Sequence, residues 1–130
     1  MGPLAGVRAL VVEDEALIAM DLVATLRRAG CVVVGPARRV APALLLVAGD
    51  PRPDVALLDV NLGGEPVVPV ADALAGRDIP FVLITGYGRD ALPERFRDRP
   101  LLGKPCAAAP LLATLERLVG RPAAGPAVPA

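Results

Sequence analysis

Asp54-Val-Ala-Leu-Leu-Asp-Val-Asn-Leu62 sets four consecutive apolar residues between two acids. A run this short that does not alternate with polar residues reads as a strand covered on both faces, and this one ends on Asp59. Before it, the linker Asp50-Pro-Arg-Pro-Asp54 closes whatever precedes it. After it, Val67 to Ala75 has helical composition. The same strand-then-helix unit recurs on both sides. Upstream, Val7 to Val12 is rich in β-branched residues and is followed by Glu13-Asp14-Glu15 and a long Ala/Leu pattern. In that pattern Ile18, Leu22, Leu26 and Ala29 share one face, Arg27 and Arg28 suit the negative end of the helix dipole, and Gly30 can cap it. Cys31 to Gly35 reads as the second strand, and a second helix is expected from Pro42 through Val47 to Gly49. Downstream, Phe81 to Ile84 precedes Ala91 to Arg97, and Leu101-Leu102 precedes Ala107 to Val119. Apolar strands alternating with helices predict an α/β fold with right-handed crossovers. The best match is a flavodoxin-like (βα)5 three-layer sandwich around a five-stranded parallel sheet of order 2-1-3-4-5. The fourth helix is expected to be short or mobile, because Gly86, Gly88 and Pro93 interrupt it and Arg89, Arg95, Arg97 and Arg99 crowd it.

Bulk properties narrow the function. The chain has 130 residues, 54% of them apolar, which is enough for one sizeable core and leaves no room for a second domain. Residues 7–119 are expected to form that domain and 120–130, a Pro/Ala/Gly tail without periodicity, to be disordered and to carry no output domain. Fourteen basic residues balance fourteen acidic ones, so no long-range field draws the protein to nucleic acid or to a membrane surface. No apolar run approaches the roughly 20 residues that span a bilayer, and Met1 to Arg8 does not read as a signal peptide, so a cytoplasmic location is expected. Cys31 and Cys106 have no histidine to join them in a zinc or catalytic set and read as reduced, structural residues, although a thiolate at Cys106 would be favoured near a helix N-terminus.

In an open parallel sheet, ligands bind beyond the carboxyl ends of the strands. The residues placed to meet there are Glu13, Asp14, Asp59, Thr85 and Lys104. Gathered carboxylates repel one another unless a cation sits among them, and Mg2+ prefers such oxygens. Lys104 supplies a mobile positive charge and Thr85 a hydroxyl donor, so the set describes a pocket for a phosphorylated carboxylate, with Asp59 as nucleophile. Taken singly, each residue has a plainer reading. Glu13-Asp14 could be a helix cap with an acidic first turn, Asp54 and Asp78 read as solvated turn residues, and Thr85 is common in strands. The arginines from Arg89 to Arg99, interleaved with Asp90, Glu94 and Asp98, read as a solvated face.

Val11-Val12-Glu13-Asp14-Glu15, Asp54 to Leu62, Ile84-Thr85-Gly86 and Lys104-Pro105 together resemble the response-regulator receiver family of two-component signalling, over about residues 7 to 119. The resemblance implies that Asp14 binds Mg2+ directly, Glu13 acts mainly through water, the backbone carbonyl of Asn61 completes the metal shell, Asp59 is phosphorylated, and Thr85 and Lys104 contact the phosphoryl group. It also implies a cis Lys104-Pro105 bond. Ile79 to Gly88 and Leu62-Gly-Gly-Glu65 are similar to the Phe-Ala-Thr-Gly-Tyr subgroup of stand-alone single-domain receivers. The pair before the threonine is Leu83-Ile84 here instead of Phe-Ala. Gly63-Gly64 replaces the common Met-Pro turn, and Leu102 stands where an aromatic switch residue is usual, which makes Tyr87 the switch candidate.

The resulting expectation is a phosphorelay regulator that takes a phosphoryl group on Asp59 from a histidine kinase or histidine phosphotransfer protein and changes its binding to a downstream protein. It would act as a monomer or weak homodimer and catalyse only its own phosphorylation and dephosphorylation. The alternatives are a small Mg2+-dependent phosphohydrolase, which would need a substrate enclosure that the sequence lacks, and a receiver-like interaction domain that never uses a phosphate.

Overall fold

The computed structural model describes residues 2–86 and 92–120. Five strands, β1 (Arg8–Val12), β2 (Val32–Ala37), β3 (Val55–Asp59), β4 (Phe81–Thr85) and β5 (Leu101–Gly103), form one parallel sheet. Their order is β2-β1-β3-β4-β5, the arrangement expected of a flavodoxin-like sandwich. Among the described residues the α-helices are α1 (Ala16–Arg28), α2 (Val40–Val47), α3 (Val68–Gly76) and α4 (Ala108–Val119).

Successive residues of a strand point to opposite faces, and here both faces are covered. Leu10, Val12, Ala56, Leu58, Phe81 and Leu83 pack on one side with Ala43 and Val47 of α2 and Val70 and Leu74 of α3. Ala9, Val11, Val55, Leu57, Val82 and Ile84 pack on the other with Leu22 and Leu26 of α1 and Leu111 and Leu115 of α4. That double cover is why the central runs do not alternate in polarity. Each fully buried leucine or phenylalanine contributes about 2 kcal/mol of transfer free energy. Helix α1 ends as its sequence predicts: Gly30, at φ +92°, donates to Arg27 O, and Cys31 N–H donates to Leu26 O, the paired bonds of a Schellman cap.

Four local features differ from the sequence expectation. Strand β2 continues past Gly35 to Ala37, because a one-residue bulge separates the Leu10–Val34 and Val12–Ala37 pairs. Gly35 sits at φ +92°, and a Cβ there would lie 2.9 Å from Val11 O and 2.8 Å from Ala37 N, so only glycine fits. Helix α2 begins at Val40 instead of Pro42, and the proline occupies its third position, where an amide would have no intrahelical partner in any case. A short antiparallel hairpin, Asn61–Leu62 against Glu65–Pro66, follows β3. Among the described residues the fourth crossover contains a 3-10 turn, Glu94–Phe96, in place of an α-helix, with Pro93 extended (ψ 146°) just before it.

Arg95, Arg97 and Arg99 of that crossover are engaged as well as solvated. Arg95 pairs with Asp72 of α3 at 3.0 Å and lies over the Phe96 ring, while Arg99 lies over Phe81. Tyr87, Arg89 and the rest of 87–91 lie outside the described residues, as does 121–130 of the expected tail. Among the described residues no helix is long and apolar enough to cross a membrane.

Candidate functional site

The bulge in β2 determines where the first acids stand. It carries Ala37 O into position to accept the Glu13 N–H at 3.0 Å, which holds the residue after β1 against the sheet and buries Glu13. Glu13 Oε2 in turn accepts the Glu15 N–H at 3.1 Å. Neither Glu13 nor Asp14 caps α1: the N-cap is Glu15, and its side chain makes no capping bond. Arg38, just beyond β2, donates to the Asp14 carbonyl at 3.1 Å.

Asp59 closes β3 in register with Ile84 and is 4% exposed. Its Oδ1 accepts the Asn61 N–H at 3.2 Å, while the Asn61 side chain accepts the Gly64 N–H at 2.8 Å, which folds the hairpin back beneath the acids. Gly63 (φ +58°) and Gly64 (φ +94°) make the turn, and a Cβ on Gly63 would come within 3.2 Å of Asp14 Oδ2. The Gly-Gly pair therefore meets both a backbone requirement and a close approach to an acid.

Lys104 enters from the end of β5, its N–H donating to Thr85 O at 3.0 Å. Its ammonium stands 3.2 Å from Asp59 Oδ2, 3.3 Å from Glu13 and 3.1 Å from Glu15 Oε1. The Lys104-Pro105 bond is cis. One carboxylate oxygen from each of Glu13, Asp14, Glu15 and Asp59 lies within 4.8 Å of the others. Four of the five expected strand-end residues thus converge around one point. The fifth, Thr85, is the buried last residue of β4 and is tied to Lys104 through its carbonyl.

The electrostatics match this crowding. Burial and then the Glu13 carboxyl push Asp59 up to about 7 against the downward pull of the Asn61 amide, with Asp14 adding a smaller upward push. Burial alone would lower the Lys104 ammonium, but its bonds to Glu15 and Asp59 and the surrounding negative charge outweigh that and raise it. Glu13 Oε1 and Asp59 Oδ2 are buried with no hydrogen bond, each having only Lys104 at ion-pair distance. Buried carboxylate oxygens without donors, in an all-oxygen set, fit a hard divalent cation. An open cleft of about 440 Å3, lined by Asp14, Arg38, Arg39, Leu62 and Gly63, adjoins the cluster at Asp14.

Sequence reasoning placed Glu15 in the acidic run but gave it no role in the site. Arg38 is not among the expected residues, and Glu65, singled out only as part of the Leu62-Gly-Gly-Glu65 turn, accepts the Val40 N–H at 3.2 Å through Oε1 and so ties the hairpin to the start of α2. Asp54 is not simply solvated, since it accepts the Arg8 N–H at 2.8 Å. The thiolate expected to be favoured at Cys106 is instead disfavoured: burial and then Asp21 raise the thiol, and burial raises Cys31 as well. Asn61 is exposed on the hairpin, and Tyr87 lies outside the described residues.

No family model matches the chain. Among curated proteins, the transcriptional regulatory protein PdtaR of Mycobacterium tuberculosis is 35% identical over 118 residues, which cover 88% of this chain and 57% of PdtaR. The chain therefore spans little more than half of that relative. Among solved structures, SdrG of Sphingomonas melonis Fr1 is 47% identical with a TM-score of 0.76, covering 92% of this chain and 99% of SdrG. A BeF3-activated conformation of SdrG, from Pseudomonas melonis Fr1, aligns with a TM-score of 0.73 at 47% identity, covering 86% of this chain and 98% of that one. The signal receiver domain of a modulated diguanylate cyclase from Desulfovibrio desulfuricans G20 is 30% identical with a TM-score of 0.74, covering 87% of this chain and 93% of that domain.

Proposed function

This chain belongs to the response-regulator receiver family, and from that premise we propose that it accepts a phosphoryl group on Asp59 from a phosphohistidine of a histidine kinase or phosphotransfer protein. The observation that carries the proposal is the Lys104 ammonium 3.2 Å from a buried, donor-poor Asp59 oxygen inside an acidic cluster. An Asp59 oxygen forms the new O–P bond as the P–N bond of the phosphohistidine breaks, and the imidazole departs with the electron pair. Lys104 and the Thr85 hydroxyl then donate to phosphoryl oxygens. Asp14, Asp59 and the Asn61 carbonyl would hold Mg2+, with Glu13 acting through water. When bound, Mg2+ supplies positive charge that offsets the incoming phosphoryl oxygens.

Residues 7–119 are the receiver unit in this reading, of the Phe-Ala-Thr-Gly-Tyr type, with Tyr87 reporting the phosphorylation state to a downstream protein. The motif Ile79 to Gly88 and the Leu62-Gly-Gly-Glu65 turn support the subgroup. The decisive experiment is intact-protein mass after incubation with a small phosphodonor, with and without Mg2+, beside Asp59→Asn. A single base-labile adduct that needs Mg2+ and vanishes in the variant is the expected result. Steady turnover of phosphomonoesters would favour a phosphohydrolase instead, and the absence of any adduct would favour a phosphate-independent interaction domain.

A further inference from the structure

Lys104 carries three donors. Two of them make hydrogen bonds, to Glu15 Oε1 at 3.1 Å and to Glu13 Oε2 at 3.3 Å. Asp59 Oδ2 stands 3.2 Å from the same nitrogen as an ion pair. The ammonium is therefore shared between the first loop and the end of β3, and its shortest contact is the one to Glu15. The two residues that hold it differ in kind. Glu13 is buried, its backbone is bonded to Ala37, and its carboxylate is further engaged by the Glu15 N–H. Glu15 has a side chain 59% exposed, makes no capping bond for the helix it begins, and among the described residues bonds only Lys104 through its carboxylate.

We infer that Glu15 is a positioning residue that retains the Lys104 ammonium in the unloaded state and must release it before a phosphoryl oxygen on Asp59 can be bound. This rests on the reading of Asp59 as the phosphoacceptor. Of the two bonds, the one to Glu15 is the bond that exchanges, because water can solvate the released carboxylate, whereas release by Glu13 would strand a buried charge. Glu15 thus biases the equilibrium toward the unloaded protein by acting through Lys104.

The test is a four-corner cycle of wild type, Glu15→Gln, Lys104→Met and the double variant, with beryllofluoride affinity measured at saturating Mg2+ by amide NMR and Mg2+ affinity measured separately. Glu15→Gln should tighten beryllofluoride about two- to five-fold, the span expected for loss of one partly exposed ion pair, and should do nothing in the Lys104→Met background. Equal tightening in both backgrounds would mean a general charge effect and overturn the inference. No tightening would overturn it too, as would a Glu15→Gln protein whose main defect is weaker Mg2+ binding. A wild-type protein that binds no beryllofluoride at all would instead remove the phosphoacceptor reading, and this inference with it.

Discussion

The segments that follow β3 and β4 leave the same edge of the sheet side by side, yet they are held in different ways. After β3, directional bonds recur within a few residues: Val60 N–H to Ile84 O, Asn61 N–H to Asp59, Gly64 N–H to Asn61, Val67 N–H to Val60 O, and Glu65 to the Val40 N–H. After β4, the described residues 92–100 have directional bonds that are mostly local, Phe96 N–H to Pro93 O, Arg97 N–H to Glu94 O, Arg99 N–H to Phe96 O and the Arg97 side chain to Leu92 O, and they meet the rest of the fold through Leu83 N–H to Pro100 O, the exposed Arg95–Asp72 pair and the buried Leu92 and Phe96. Directional bonds to neighbouring elements fix the atoms that must meet to fractions of an ångström, while a segment whose bonds are mostly internal and whose anchors are apolar can slide as a unit. The first segment is therefore suited to holding chemistry and the second to moving in response to it.

The largest effect that would sharpen this contrast comes from two phenylalanines in edge-to-face contact, centroids 5.9 Å apart. Phe81 belongs to a central strand, and Phe81→Ala should cost about 4 kcal/mol by chemical denaturation, whereas Phe96→Ala should cost less, about 3 kcal/mol, because its segment can collapse into the space left. Equal losses, or the reverse order, would mean that the fourth crossover is as firmly built as the sheet.

Next in size is a pH effect on the β3 side. Asp59 is raised in the folded protein to about 7, so its contribution to stability is fully present below its unfolded value near 4 and is lost as pH rises through 7. In metal-free protein, Asp59→Asn should lack that loss and gain about 2 kcal/mol relative to wild type between pH 5 and pH 8, read from paired urea melts. Saturating Mg2+ should erase the difference. A constant difference across that range would remove electrostatic crowding as the source.

Smaller again, Glu65→Ala should cost about 1 kcal/mol, as loss of a helix-start acceptor does, and should speed hydrogen exchange at the Val40 amide more than at Leu74. Smallest of all is the tie on the other segment. Arg95 and Asp72 are both about half exposed, so Asp72→Asn should shift the denaturation midpoint slightly at low salt and not measurably at high salt. A large, salt-independent shift would show that this surface pair is a principal anchor of the fourth crossover.

The parts legible in the sequence were those set by repeated local pattern. Non-alternating runs such as Val55 to Leu58 gave the doubly covered sheet and its order, and the acids and lysine at strand ends converge because a parallel sheet places those ends together. Less legible was whatever depends on one side chain reaching a segment distant in sequence. Nothing around Glu65 signals that it caps a helix 25 residues earlier, and nothing around Asp54 signals its bond to Arg8. Glu15 was visible as a third consecutive acid, but its distinction from Glu13 is one of exposure, which local composition does not encode. The 3-10 turn was half legible: Pro93 announced the break, yet the burial of Phe96 depends on Phe81 lying opposite.

The glycine bulge in β2 has a consequence for sequence length. It inserts one residue between two rungs of the ladder, and the Glu13 amide is held by a carbonyl on the far side of that insertion. A deletion in β2 would act as a phase error: every downstream residue of the strand would step back one rung, and the partner of Glu13 would become a different carbonyl facing the other way. Apart from Gly35, this stretch should therefore accept side-chain replacements on its exposed face while rejecting any change in residue count, so that spacing is what the edge strand contributes to the site.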